Sequence, residues 1–388
     1  MKKILSLLFV CIICMSAVFS PVYGQEKNQI PTIQQKHGEL IIKFKENVSS
    51  DQYKLALEQD GAKIINTNNP LGFKTIKLKP NLSIEQAIQK YKNHPYVDYV
   101  EENIIFKSLY TPNDEFYFQQ YAPQTIHAPE AWDITQSASN VKIAIIDTGV
   151  DYTHPDLEGK VILGTDFVDN DNDPMDENNH GTHCAGIAAA YTNNATGIAG
   201  IAPNARILAI RVLDASGRGT LDSIANGIMY AADQGAQVIS LSLGASTGAI
   251  TLQSAIKYAQ NKGSVIVAAA GNSSTSAPSY PAYYSSVIAV GATDSNDQIA
   301  HFSNYGTWVD IAAPGVDIVS TIPWGGFDSY SGTSMATPAV AGVAGLLASQ
   351  GKNAQKIRFD IEKTADKVWG TGWYWSNGRV NAEKAVKN

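Results

Sequence analysis

A three-layer α/β/α domain on a mainly parallel sheet, preceded by a small α+β ferredoxin-like unit, is the architecture this 388-residue sequence predicts. Three observations carry it. From Val141 onward, apolar runs without polar alternation are separated by helical segments, the pattern of strands covered on both faces. Between residues 38 and 106 the runs are shorter and partly alternating, as expected of a small sheet with one solvated face. Polar "SLYTPNDEF" divides the two regions.

The chain opens with Met1-Lys2-Lys3, the apolar run "ILSLLFVCIICMSAVF" and small residues through Gly24, which describes a secretory signal over residues 1–24. No later stretch is apolar for long enough to span a bilayer, so an exported chain without a membrane partner is expected. In residues 25–109, "GELIIKFK" reads as a strand and "SSDQYKLALEQDG" as a helix opened by Ser and Asp. "FKTIKLK" alternates strictly, "SIEQAIQKYKNHP" is helical, and "VDYVEENIIFK" closes the unit as a strand. That order suggests a split β-α-β arrangement.

In residues 110–388 the strands are "VKIAIID", "RILAIRVL", "VISLSLG", "SVIVAAAGN" and "SVIAVGAT". Helices are "HGTHCAGIAAAY", "TLDSIANGIMYAADQGA", "ITLQSAIKYAQNKG" and a late one through "SMATPAVAGVAGLLASQ". Ligands and chemistry gather at the carboxyl ends of strands in such sheets.

Charge and cysteine narrow the function classes. Residues 25–109 hold 12 basic and 10 acidic residues, whereas residues 110–388 hold 15 and 26. The acidic main part argues against nucleic acid as a partner, and opposite signs favour association of the two parts. Cys11 and Cys14 would leave with the signal, so Cys184 stands alone and no internal disulfide is expected. Stability must then come from a large core or bound cations. Scattered glycines form no phosphate-binding loop, so no organic cofactor is expected.

Four positions carry chemistry. Asp147 ends "KIAII" at a strand's carboxyl end; by itself it could simply start a turn. His180 stands 33 residues later at a helix start. Ser334, in "SGTSMATPAVAG", begins an apolar helix in which Pro338 is expected within the first turn, where amides lack internal partners. A hydroxyl there sits beside unpaired N–H groups and the positive end of a helix dipole. Asn272 ends the buried strand "VIVAAAGN", with Gly271 leaving room beside it. Serine becomes a nucleophile once a histidine takes its proton and a carboxylate fixes the imidazole, so the four together suit acyl transfer.

"AIIDTGVDYTHPDL", "HGTHCAGIAA", "AAAGN" and "SGTSMATPAVAG", in this order, resemble the subtilisin family of serine proteases over essentially all of residues 110–388. The cysteine after "HGTH", the start "YTPND" and the loop "DFVDNDNDP" are most similar to its thermitase branch. The resemblance implies Asp147 as orienter, His180 as general base and acid, Ser334 as nucleophile and Asn272 as oxyanion donor. His183 then reads as a packed structural histidine and Cys184 as a small buried hydrophobe close to His180. A zinc site from His180, His183 and Cys184 is the alternative, but no glutamate stands between the histidines as in H-E-x-x-H enzymes. Ala339 replaces a histidine that many relatives carry after "SMATP", a change expected to affect packing only.

Ten acidic residues and one basic residue, Lys160, lie between Asp147 and Glu177. Clustered Asp and Asn oxygens suit a hard cation, calcium, although a solvated acidic loop is the other reading. The thermitase resemblance implies two sites. One would use Asp114, Asp156 and Asn194 with the carbonyls of Tyr191, Thr196 and Ile198. The other would draw on Asp166, Asp169, Asp171 and Asp173.

Residues 25–109 resemble the family's inhibitory prosegment, which implies self-processing at Leu109–Tyr110 and an apolar or aromatic preference before the cut. The primary pocket would be lined by Ser242, Leu243 and Gly244 with Ala269 and Gly271. Gly217, Arg218 and Gly219 of "DASGRG" could supply an edge strand for an extended substrate. The expected whole is a secreted, monomeric serine endopeptidase acting on proteins and peptides, held as a zymogen by its own prosegment. A catalytically silent calcium-bound binding protein on the same fold is the competing reading.

Overall fold

The computed structural model describes residues 35–79, 82–104 and 111–388. The expected signal and the Leu109–Tyr110 bond lie outside the described residues. The chain divides into two compact units, Met1–Leu109 and Tyr110–Asn388.

In the first unit, β1 (Gln35–Phe44), α1 (Ser50–Gln59), β2 (Lys63–Asn68), β3 (Phe73–Lys77), α2 (Ile84–Lys92) and β4 (Val97–Ile104) follow in order. The sheet order β2-β3-β1-β4 is antiparallel throughout, the ferredoxin-like arrangement. Ser49 and Gln52 form a capping box at the start of α1, and Ser83 caps α2. Alternate residues Leu40, Ile42 and Phe44 of β1 face a core shared with Ile76, Ala87 and Tyr91. The sequence signal missed β2. No residue of that strand is fully buried, so its sequence lacks the alternation that marks a half-buried strand.

The second unit starts with two short helices, α3 (Tyr121–Thr125) and α4 (Ala128–Trp132). Its central sheet is formed by β5 (Lys142–Asp147), β6 (Val161–Asp166), β7 (Arg206–Arg211), β8 (Val238–Leu241), β9 (Val265–Ala269), β10 (Ile288–Thr293) and β11 (Ile311–Pro314). All seven strands are parallel, in the order β11-β10-β9-β8-β5-β7-β6. Around them lie α5 (His180–Ala189), α6 (Leu221–Asp233), α7 (Ile250–Asn261), the hairpin β12 (Ile318–Ile322) and β13 (Gly326–Tyr330), α8 (Thr333–Ser349), α9 (Ala354–Lys363) and α10 (Ala382–Lys387).

Both faces of the sheet are covered, which is why its strands read as unbroken apolar runs. Ile143 and Ile145 of β5 join a core with α5 and α8, whereas Ala144 and Ile146 join a separate core with α6 and α7. The two strands of this sheet missing from the sequence reading, β6 and β11, are its edges. β6 has exposed and half-buried positions, and β11 is four residues ending in Pro314, so neither carries a long apolar run. Strand order diverges at β5, with β7 and β6 on one side and β8 to β11 on the other. The crevice at that switch point opens beyond Asp147, the last residue of β5. Among the described residues, no helix is long and apolar enough to cross a membrane.

Candidate active site

Asp147 is buried at the carboxyl end of β5, and His180 is the first residue of α5. Helix and strand can meet because Gly181 follows the histidine. A Cβ there would lie 2.0 Å from the Gly149 carbonyl oxygen and 3.1 Å from the Asp147 Cβ. His180 Nδ1 lies 2.7 Å from Asp147 Oδ1, which also accepts the Thr148 amide at 2.8 Å. This pairing leaves Nε2 facing outward as the basic nitrogen. Burial pushes the His180 pKa down, but the charge and hydrogen bond of Asp147 and the charge of Asp176 outweigh it, and the net shift is upward.

Ser334 is the second residue of α8, so its amide has no carbonyl four residues back within the helix. Its hydroxyl donates to the Ser242 carbonyl at 3.3 Å and makes no hydrogen bond to His180. Pro338 corrects one sequence expectation, since it stands inside α8 rather than in its first turn. Lacking an N–H, it releases the Ser334 carbonyl, which accepts the Ser242 hydroxyl at 2.9 Å and the Cys184 thiol at 3.4 Å.

The Asn272 Oδ1 atom accepts both the Thr333 amide (2.8 Å) and the Thr333 hydroxyl (2.9 Å). Its amide nitrogen is thereby left as a donor beside Gly332, whose Cβ would lie 3.4 Å from it. Gly271, at φ +103°, permits this turn; a Cβ there would meet the Asn304 amide at 2.5 Å. Asn272 and Ser334 line two adjoining cavities. One, of about 370 Å³, also holds His180, Ser329, Tyr330, Ser331, Gly332 and Met335. The other, of about 380 Å³, is lined by Ser242, Leu243, Gly244, Ala269 and Gly271 with further small or neutral residues, and by no charged side chain. Gly217, Arg218 and Gly219 are not among the lining residues of either cavity; they form an exposed turn closed by the Asp214 carboxylate on the Arg218 amide at 3.0 Å.

His183 is buried, stacks on Tyr330 with centroids 4.5 Å apart, and donates from Nε2 to the Asp328 carbonyl at 3.2 Å. Burial pushes its pKa down to about 4, so it is neutral. Asp147, His180 and Cys184 are the set that gathers potential ligand atoms within 4.8 Å among the described residues. Burial raises the Cys184 thiol well above its ordinary range, and His183 is not part of that set. The zinc alternative through His183 therefore has no geometry.

The expected cation sites differ from each other. Asp114 and Asp156 are both buried without a Lys or Arg ion pair among the described residues. Burial raises both carboxyls, Asp156 to about 6, where the charge of Asp114 adds to the shift and that of Lys160 opposes it. Asn194 donates to Asp156 at 2.8 Å, and the Asn193 and Asn194 amides point at Asp114. The Ile198 amide bonds the Asp156 carboxylate, the Tyr191 amide bonds the Asp156 backbone carbonyl, and the Thr196 amide bonds the Asn194 side chain, so the loop folds around Asp156. Such a pair fits a hard cation, which would supply the missing positive charge. In the acidic loop that charge is already present. Arg211 Nη1 lies 2.7 Å from Asp166 and 2.8 Å from Asp169, and Nη2 reaches Glu177 at 2.7 Å. Asp171 accepts the Asp173 amide, and Asp173 accepts the Tyr152 hydroxyl, so the four carboxylates form no single cluster. The sequence reading missed Arg211 because its position, at the end of β7, lies outside the acidic window.

The sequence profile of the Subtilase family matches residues 138–378, which include all four of these side chains. The chain belongs to the subtilase family. A second profile, the fervidolysin N-terminal prodomain, matches residues 24–103 of this subtilase. It is 65% identical over 279 residues to thermitase of Thermoactinomyces vulgaris, covering 72% of this chain and 100% of that protein. It is 57% identical over 350 residues to the thermophilic serine proteinase of Bacillus sp. (strain AK1), covering 90% and 87%. Subtilisin NAT of Bacillus subtilis subsp. natto is 38% identical over 400 residues, covering 100% and 99%. The protein is a thermitase-like subtilase: a serine endopeptidase with an N-terminal prosegment, acting on peptide substrates.

Proposed function

We propose that this subtilase is a secreted, calcium-stabilised endopeptidase in which Asp147, His180 and Ser334 form the proton relay and Asn272 donates to the oxyanion. The 2.7 Å Asp147–His180 pair, opening into one cavity with Ser334 and Asn272, carries the reading. A rotation about χ1 releases the Ser334 hydroxyl from the Ser242 carbonyl toward His180 Nε2. The Ser334 oxygen then attacks the peptide carbonyl while His180 takes its proton. Asp147 holds the imidazole and the charge it gains. The Asn272 amide and the Ser334 backbone N–H stabilise the tetrahedral oxyanion. His180 returns the proton to the leaving amine, and water then cleaves the acyl-enzyme by the same steps.

The neutral cavity beside Ser334 supports a preference for apolar or aromatic residues before the cut. Calcium would be held by Asp114, Asp156 and Asn194 with the Tyr191, Thr196 and Ile198 carbonyls. Arg211 already pairs with Asp166 and Asp169, so the reading places no second ion on Asp166, Asp169, Asp171 and Asp173. The signal (residues 1–24), the inhibitory prosegment (25–109) and a monomeric mature enzyme from Tyr110 complete the reading. Replacing Ser334 with Ala is the test. The precursor should accumulate uncut and resist a serine-directed phosphonyl fluoride; normal maturation of that variant would reject the relay.

A further inference from the structure

Asp176 is buried four residues before the His180 helix, yet it takes no part in the relay. Five hydrogen bonds converge on its carboxylate. Oδ1 accepts the Thr148 hydroxyl at 2.8 Å, the Asn178 amide at 2.9 Å and the Asn179 amide at 3.1 Å. Oδ2 accepts the Thr182 amide at 2.9 Å and the Thr182 hydroxyl at 2.6 Å. Thr148 follows Asp147 directly, and its hydroxyl also accepts the Gly181 amide at 2.9 Å. The carboxylate thus ties the residue after Asp147 to residues on both sides of His180.

The local backbone needs this tie. Asn179, at the N-cap of α5, sits at φ +98° and makes no side-chain cap. Of the amides that a cap would ordinarily serve, that of Thr182 is bonded to Asp176 and that of Gly181 to the Thr148 hydroxyl. Among the described residues, Asp176 has no Lys or Arg ion pair, so its charge is balanced by hydroxyls and amides alone. That charge lies close enough to His180 to act on it.

We infer that Asp176 is a positioning residue for peptide hydrolysis, fixing the register of Asp147 against His180 and adding a second negative charge behind the imidazole. The inference rests on the relay proposed above. The titratable groups facing His180 are Asp147 at the end of β5, Asp176 in the preceding loop, and His183 and Cys184 on α5. His183 is neutral and Cys184 a thiol, so the two carboxylates set the field at the imidazole.

The test is Asp176→Asn in the full chain, matured with added wild-type protease that is then removed. The amide keeps the shape but loses the charge and turns one nitrogen against its donors. The turnover number should fall by roughly 10- to 100-fold, as for a small misplacement of a catalytic group, with KM within about twofold. The acid limb of kcat/KM should move to lower pH, a shift that a merely structural residue would not give. Should this variant fail to fold, Thr148→Val decides: it removes the hydroxyl's bonds to Asp176 and to the Gly181 amide and keeps the charge, so kcat should fall with the acid limb in place. An unchanged kcat in whichever variant folds, or an unmoved acid limb in a folded Asp176→Asn, overturns the inference. His180→Ala run in parallel separates this from failure of the relay itself, which would show as retained activity in that variant.

Discussion

Pro338 stands four residues after Ser334 and brings no amide hydrogen to it, so the Ser334 carbonyl bonds the Ser242 hydroxyl at 2.9 Å. A proline inside the helix thus lets the strand-end segment after β8 hold the nucleophile's own backbone. Ser242→Ala should leave that carbonyl to the weak Cys184 donor and cost about 1 kcal/mol. In a domain of this size the melting temperature should fall by roughly 2–4 °C per kcal/mol. A melt identical to wild type would show that the bond contributes nothing.

The pH dependence follows from His180. Its neutral form is the base, so the rate rises as pH passes upward through its pKa. Burial opposes the charged form, but Asp147 and Asp176 prevail, so the acid limb of kcat/KM should centre above the ordinary 6.5. Asp147→Asn should move it downward. Initial rates across pH in constant ionic strength would check both.

Cys184 places its thiol 3.4 Å from the Ser334 carbonyl and within 4.8 Å of the His180 and Asp147 ligand atoms. A bulky mercurial bound there should crowd the imidazole and inhibit. Full activity after labelling confirmed by mass spectrometry would contradict the expectation.

Chelation should destabilise the protein through Asp114 and Asp156, two buried carboxyl groups left without the ion. At free calcium 100-fold above its dissociation constant, bound ion would contribute about 2.7 kcal/mol. Scanning calorimetry with and without chelator reads the difference. Asp156→Asn should abolish most of it, and equal melts would remove calcium from the account.

Cleavage of an unbiased peptide library should favour apolar and aromatic residues before the cut, because the cavity beside Ser334 offers a cation no carboxylate. Enrichment of Arg or Lys at that position would require a different pocket.

Local chemistry made much of this legible. Unbroken apolar runs identify a strand covered twice, as Ile143 to Ile146 show by facing two cores in turn. The edges β6 and β11, and β2 of the first unit, lacked that signal because a strand with one exposed side or only four residues buries too little. Asp176 was visible only as one acid in a crowded loop. Its meaning depends on Thr148 and Thr182, which the fold brings to it.

Sequence alone determined the identities and chain order of Asp147, His180, Asn272 and Ser334, and the helix and strand ends on which they ride, because those are set by neighbours a few residues away. Tertiary structure decided what each one touches: which carbonyl Pro338 releases, which acids Arg211 already neutralises, and that Gly217 to Gly219 stay outside both cavities. Burial and partnership are properties of three-dimensional neighbours. Arg211 and Asp166 lie 45 residues apart along the chain, yet in space they are 2.7 Å apart.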